Sequence, residues 1–358
     1  MRRIFQLSVA SLAVSVVAGC SDRKEVTETG YFPSGGVRFI NAVNDTAGSG
    51  GVDFRFVDIV ENNAHYNIQF RNNVATSGTV AASTQIQYKN TRAGARHFNI
   101  FLDDTLPSVA STVLQDGNLT VEDQHNYTML LWGRARAGQT PAMALKVIDE
   151  TSEGCADPGT AIGLRAINST PTALDVRAYL NTQVVTVDVT RYKRPNGGTP
   201  KPDTTITRTT TVNNFTLPAT PTWANLAGMS VSTCVTMPVT AYPFVVVTQG
   251  PIVINDTTTV TTRTVTTTPT IKYNVQLAGG GAYVATDVSA LIGIPNGVTA
   301  NGCFVGTDCD QTPGSTTAGA VMTGIIFPPS IAGTKAAQFT SPAVSFMWDR
   351  RPPRNPGT

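Results

Sequence analysis

The feature that most limits the fold is a rhythm of short runs in which apolar and polar side chains alternate. Glycine, asparagine or aspartate punctuates them. Val37-Arg38-Phe39-Ile40-Asn41, Gln85-Ile86-Gln87-Tyr88 and His97-Phe98-Asn99-Ile100-Phe101 alternate in this way. Period-two patterning puts successive side chains on opposite faces of a strand. Asn126 to Trp132 and Ala142 to Ile148 are more continuously apolar and predict central strands. Turn residues separate the runs at Asn44-Asp45, Gly48 to Gly51, Ala93-Gly94, Asp116-Gly117 and Gly138. Beyond residue 20, no stretch of about 12 residues keeps a clean helical period with capping residues. An all-β chain of sandwiches or barrels follows.

The pattern restarts midway. Leu164-Arg165-Ala166-Ile167-Asn168 matches Val37-Arg38-Phe39-Ile40-Asn41 in type and order, and Leu174-Asp175-Val176-Arg177 matches Val52-Asp53-Phe54-Arg55. A repeated signature of this kind predicts a second domain of the same type beginning near residue 162. The second half carries threonine tracts, Thr204 to Val212 and Thr257 to Thr268. Threonine at alternate positions suits exposed strands or long hairpin arms, and a disordered low-complexity insertion is the alternative.

The N-terminus has its own logic. Arg2 and Arg3 precede a short apolar run, Ile4 to Val17, and then Val17-Ala18-Gly19-Cys20. Charge, apolar stretch and small residues in that order make a secretory signal, too short for a membrane span of about 20 residues. The final tetrapeptide resembles the lipobox of bacterial lipoproteins, which implies cleavage after Gly19 and lipidation of Cys20. Ser21 after the cysteine favours the outer membrane of a two-membrane cell. Several acyl chains anchor a protein stably without a transmembrane helix.

The chain thus divides into a signal peptide at 1–19, a tether at 20–36, a first sandwich at 37–150 and a connector at 151–161. A second, insertion-rich sandwich at 162–347 and a basic proline-rich tail at 348–358 complete it.

Without Arg2 and Arg3 the chain has 24 basic and 24 acidic residues, so it lacks the positive field that nucleic-acid binding requires. Beside Cys20 stand four cysteines, Cys155, Cys234, Cys303 and Cys309. An even number in an exported chain predicts disulfides. Of three connectivities, proximity favours Cys303–Cys309, with Cys155–Cys234 as the remainder. Zinc is a poor fit, because the C-x5-C spacing has no histidine nearby.

Side chains that carry chemistry are sparse. His65, His97 and His125 do not fall at metal-ligand spacing. Gly228-Met229-Ser230-Val231-Ser232 falls short of a nucleophile elbow. Asp103-Asp104 and Asp308/Asp310 are the adjacent carboxylates; the first pair is placed at a hairpin end and the second in a loop with too few oxygens for calcium. Gly279-Gly280-Gly281 is a turn rather than a phosphate loop, since no lysine follows. Trp132, Trp223 and Trp348 are assigned to core packing. No catalytic residue, metal site or cofactor is predicted.

Val37 to Ala42, Val52 to Phe56 and Tyr127-Thr128-Met129-Leu130-Leu131-Trp132-Gly133 resemble the opening and closing strands of a bacterial envelope family known as domain of unknown function 4397. The first half covers the family pattern from end to end; the second matches mainly between residues 163 and 180. The resemblance implies a secreted or lipid-anchored β-sandwich and supplies no catalytic residues. The expected chain is therefore all-β, with two immunoglobulin-like or transthyretin-like sandwiches in tandem. It is expected to act as a non-enzymatic binding or scaffold module for an envelope protein or glycan. A polysaccharide hydrolase using carboxylates brought together by folding, and a structural spacer, are the alternatives.

Overall fold

A computed structural model describes residues 32–45, 51–59, 65–68, 70–71, 88–102, 106–193, 204–239, 244–254, 257–283, 318–331 and 339–350. Among the described residues the elements are strands and one helical turn, α1 (Pro107–Ala110). The first half contains β1 (Ser34–Asn41), β2 (Val52–Phe56), β3 (His65–Ile68), β4 (Lys89–Arg92), β5 (Gly94–Leu102), β6 (Val113–Val121), β7 (Asn126–Trp132) and β8 (Ala144–Asp149). The second contains β9 (Ala161–Asn168), β10 (Leu174–Lys193), β11 (Thr204–Phe215), β12 (Trp223–Leu226), β13 (Ser230–Val231), β14 (Val235–Pro238), β15 (Phe244–Ile254), β16 (Thr257–Leu277), β17 (Val321–Phe327) and β18 (Ala343–Arg350).

These strands build four sheets. In the first half β3-β2-β5-β6 form an outer sheet and β4-β1-β7-β8 an inner one. In the second half β9-β17-β18, with β13 and β14 on the free side of β9, form an inner sheet. Its outer sheet is β11-β10-β16-β15, with β12 also on β10. The pairings of the two halves correspond. The opening strand runs parallel to a late strand in each, Arg38 against Thr128 and Arg165 against Thr323. The next strand is bulged at the same place, between Val52 and Phe54 and between Leu174 and Val176. Asn41 and Asn168 end the opening strands alike: each side-chain oxygen accepts the backbone N–H two residues on, at Val43 and Thr170.

Alternation decides where each side chain goes. Val37, Phe39, Tyr127, Met129 and Leu131 face the first outer sheet and bury against Phe54, Phe98 and Ile100. Leu164, Ala166, Met322, Ile326 and Phe346 face the second outer sheet and bury against Val176, Ile271 and Tyr273. The intervening side chains of both inner sheets meet each other. Ile40, Leu130, Trp132 and Ile148 of the first pack with Ile167, Ile325, Phe327 and Met347 of the second. The molecule is thus a stack of layers, outer–inner–inner–outer, and β1, β7, β9 and β17 are buried on both faces. Gly324 belongs to this packing: a Cβ there would lie 2.3 Å from Cε2 of Tyr273, whose hydroxyl donates to the Arg165 carbonyl at 2.8 Å.

Several boundaries differ from expectation. The first strand begins at Ser34, inside the tether assigned to 20–36. β8 is an edge strand rather than a central one; its apolar residues reflect partial packing against the first core on one face and the seam on the other. β18 continues to Arg350, so Trp348 and Asp349 belong to the sandwich and not to a tail. Trp348 is buried in the second core, and the Asp349 side chain is buried by pairing, which charge counting alone does not reveal. Gln85 to Gln87 lie outside the described residues. The threonine tracts are strands, in β11 and β16.

Candidate functional site: a buried arginine–carboxylate seam and the arm it carries

Arg38 and Arg165 sit at equivalent places in β1 and β9, and both point into the junction between the inner sheets. Their Nε atoms donate to Thr128 Oγ1 at 2.7 Å and Thr323 Oγ1 at 2.6 Å. Those hydroxyls donate onward, Thr128 to Glu150 and Thr323 to Asp349. Glu150 lies two residues beyond Ile148, which pairs with Thr128, and Asp349 two residues beyond Met347, which pairs with Thr323, so each carboxylate stands at the same place in its half. The arginines then cross over. Arg38 Nη2 meets Asp349 Oδ1 at 2.5 Å and Glu150 Oε1 at 3.2 Å; Arg165 Nη2 meets Glu150 at 2.6 Å and Asp349 at 3.2 Å. Arg38 Nη1 also donates to the Trp348 carbonyl at 2.7 Å, and its guanidinium lies 4.5 Å over the Tyr88 ring.

The four charges cancel, and they are almost entirely out of water. The arginine side chains are 0% and 1% exposed and the carboxylates 4% and 5%. Burial pulls both guanidinium pKa values down, but the surrounding negative groups outweigh it and hold them above their ordinary value. Burial pushes the Asp349 carboxyl up; Arg165, Arg38 and the Thr323 hydroxyl pull it below the usual carboxylate range. Glu150 and Asp349 are thus a pair of carboxylates that folding brings together, and both are sealed against arginines. A third arginine, Arg71, extends the junction. It lies 5.0 to 5.8 Å over Phe70, Phe327 and Phe339 and donates to the Pro328 carbonyl. Burial lowers its pKa to about 10, offset in part by Tyr283.

The second outer sheet packs on the inner sheet that carries Arg165, and from that outer sheet an arm projects. β10 and β16 are 20 and 21 residues long and pair from Leu174–Leu277 to Lys193–Thr258. Only their base residues line the second core. Beyond Asn181 the pair continues with β11 and β15 as flanking strands. From Asn181 to Lys193 this is roughly 40 Å at about 3.3 Å per residue. All β11 side chains from Thr205 to Phe215 are exposed, including Ile206, Val212 and Phe215. Across the arm, Arg263 clasps Asp188 at 2.7 and 2.9 Å, and Arg208 stands opposite Asp188 on the other side. Arg263 holds the Asp188 carboxyl below its usual range. At the arm's root an open groove of about 430 Å³ is lined by Tyr179, Phe215, Pro218 and Met237, with the two rings 5.7 Å apart.

The other sequence candidates are dispersed. His97 in β5 pairs with Asp116 at 3.0 Å, while His125 before β7 pairs with Asp149 at 2.8 Å and Glu122 at 3.4 Å. His65 lies in β3. Ser230 donates to the Ala227 carbonyl, and Gly228 abuts the Pro171 backbone, as in a tight turn. Gly279, Gly280 and Gly281 all have positive φ and close a turn after β16. Trp132 is buried in the seam, and Trp223 and Trp348 in the second core. Cys155 and Cys234 are disulfide-bonded, tying the connector to the approach of β14. Cys20, Asp103, Asp104, Cys303, Asp308, Cys309 and Asp310 lie outside the described residues. Among the described residues no cluster of three or more His, Cys, Asp or Glu is arranged to hold a metal.

Fold and seam define an all-β protein of two sandwiches locked through their inner sheets. Residues 35–179 match a family described as Domain of unknown function (DUF4397), the family that the opening and closing strands resemble. The match covers the first sandwich, β9 and the base of β10, and stops just before the first arm pair, Asn181–Phe215. No curated protein matches the chain.

Proposed function

We propose that this chain is a lipid-anchored envelope protein, processed before Cys20 and held in the outer membrane. There it acts as a non-enzymatic binding or scaffold module for an envelope protein or glycan. The observation that carries the reading is the arm: four paired strands leave the packed body of the two sandwiches and present exposed edges and faces. A long strand edge offers a row of backbone donors and acceptors that invites pairing. The Cys155–Cys234 disulfide suits an oxidising compartment. The corresponding register of the two halves supports their descent from one duplicated unit.

Two measurements test it. In the native host, Cys20→Ser is expected to move the chain from the membrane to the soluble fraction; retention of the variant in the membrane would refute the anchor. A photoreactive residue at Ile206 is expected to give discrete cross-linked species in native membranes, whereas one at Gln115 on the first outer sheet gives none. Equal yields at the two positions, or no species at Ile206, would refute the arm as the contact element.

A further inference from the structure

We infer that the arm's partner is a second copy of this chain, joined antiparallel along β11 about a two-fold axis through Thr209. The inference rests on reading the arm as the contact element, and it adds what that element binds.

The two edges of the arm are built differently. β15 carries Pro251 and a register break between Gln249 and Ile252. Proline lacks the donor that a new strand would need, and a bulge twists an edge away; both are devices that keep edges from pairing. β11 has neither. It holds register with β10 without interruption from Asn181–Phe215 to Tyr192–Thr204 and contains no proline or glycine. Among the described residues its outer side pairs with nothing. Three large apolar side chains lie exposed on it, Ile206, Val212 and Phe215 at 43% to 48%. One edge is protected and the other is open and partly apolar.

The β11 sequence selects the occupant. Antiparallel strands related by a two-fold axis place residue i opposite residue j with a constant, even sum. Centring on Thr209 puts Ile206 opposite Val212 of the other copy, and Val212 opposite its Ile206. Thr207 then faces Thr211, Thr205 faces Asn213, and Arg208 faces Thr210. Centring on Arg208 would set two like charges directly opposite, which destabilises a pair. Centring on Thr210 would put Arg208 against Val212 and Ile206 against Asn214. Among these neighbouring registers only the Thr209 axis matches apolar with apolar and keeps the arginines off each other. The interface is isologous and closes as a dimer, joining two four-stranded arms into one continuous sheet.

The test uses the purified full-length chain. It is expected to sediment as a dimer. Thr209→Cys should form a disulfide dimer on mild oxidation, beyond any formed by the parent chain, because opposed Cβ atoms lie about 4.5–5.5 Å apart. Thr205→Cys and Asn213→Cys should cross-link when mixed, and each only weakly alone. Ile206→Lys/Val212→Lys and Ile206→Glu/Val212→Glu change exposed side chains, so the fold should survive. Each doubly substituted chain should be monomeric, and an equimolar mixture should recover the dimer. A monomer at every attainable concentration, a dimer that Thr209→Cys fails to trap, or trapping by Thr248→Cys on β15 instead would overturn the inference. If the purified chain is monomeric while Ile206 captures a different protein in native membranes, self-pairing fails and the arm remains the contact element.

Discussion

Replacing Arg165 by methionine should weaken the whole molecule, not only the second sandwich. Arg165 binds Glu150 at 2.6 Å, Asp349 at 3.2 Å and Thr323 at 2.6 Å with its side chain 1% exposed. Methionine fills much of the space but leaves two carboxylates to share Arg38, so one negative charge stays buried and uncompensated. Breaking a buried ion pair in this way costs about 3–5 kcal/mol. For a chain of this size that is roughly a 10 °C fall in Tm, at about 2–4 °C per kcal/mol. Urea unfolding of the oxidised chain, followed by tryptophan fluorescence, reads the change; Trp132 lies in the seam and Trp348 beside Asp349. Adding Glu150→Gln removes the stranded charge, so the double variant should lose less than the sum of the two single losses, by about 1–3 kcal/mol. Arg38→Met should cost about as much as Arg165→Met, because the two occupy equivalent positions. A loss below about 1 kcal/mol, or strict additivity in the cycle, would refute the idea that these four charges act as one neutral unit.

Acid should weaken the seam. The folded pKa of Asp349 lies below its ordinary value, so its contribution is complete above about pH 4 and is lost as pH falls through the depressed value. The urea midpoint should drop in that window, and Asp349→Asn should shallow the drop. Gly324→Ala should destabilise by about 1–3 kcal/mol through overpacking against Tyr273, read by the same unfolding curve; an unchanged midpoint would contradict the close approach. Replacing Cys155 and Cys234 together by alanine should cost about 4.5 kcal/mol in the same urea unfolding, the chain-entropy value for a loop of this length. A fragment of residues 34–150 should bind an apolar dye and self-associate, since it uncovers Ile40, Leu130 and Trp132 and leaves Arg38 without Asp349; a dispersed, soluble monomer would argue against the shared layer.

The strands were legible because alternation is a local signal. Val37 to Asn41 and His97 to Phe101 show it within five residues, and Gly94 marks where β5 begins. The Cys155–Cys234 bond follows as the remainder once Cys303 is paired with Cys309 by proximity. The seam was not legible. In an alternating run an arginine is assigned to water by default, because charged side chains are rarely buried unless paired. The partners of Arg38 lie 112 and 311 positions away in sequence, and nothing local announces them. A signal did exist in the repeat. Arginine recurs at the same place in both opening strands, a threonine interrupts each apolar late strand at Thr128 and Thr323, and an acid follows β8 and stands next to last in β18. Read together, those three coincidences describe a polar path through two apolar faces. β8 misled for the opposite reason: an edge strand flanked by a core and a seam acquires the apolar content of a central one.

The seam also bears on the contact role proposed for the arm. Two mostly apolar inner faces are held against sliding by polar contacts: the four-charge cluster, Arg71 on the Pro328 carbonyl and Asn44 on the Pro329 carbonyl. A shift of two residues would keep the alternation and still bury Ile40 against an apolar neighbour. The same shift would strand Arg38 and Arg165 away from Asp349 and Glu150, at the cost of uncompensated buried charge. The charges would thus set position as well as stability, as a buried polar pair sets register in a coiled coil. Because β10 and β16 run unbroken from the second core into the arm, fixing the inner sheets fixes the direction in which β11 is presented. The first sandwich, with the N-terminal residues leading into β1, then becomes the base from which that direction is set. A flexible junction would let the arm sample many orientations and lose entropy on each encounter; a neutral, desolvated junction removes that loss beforehand.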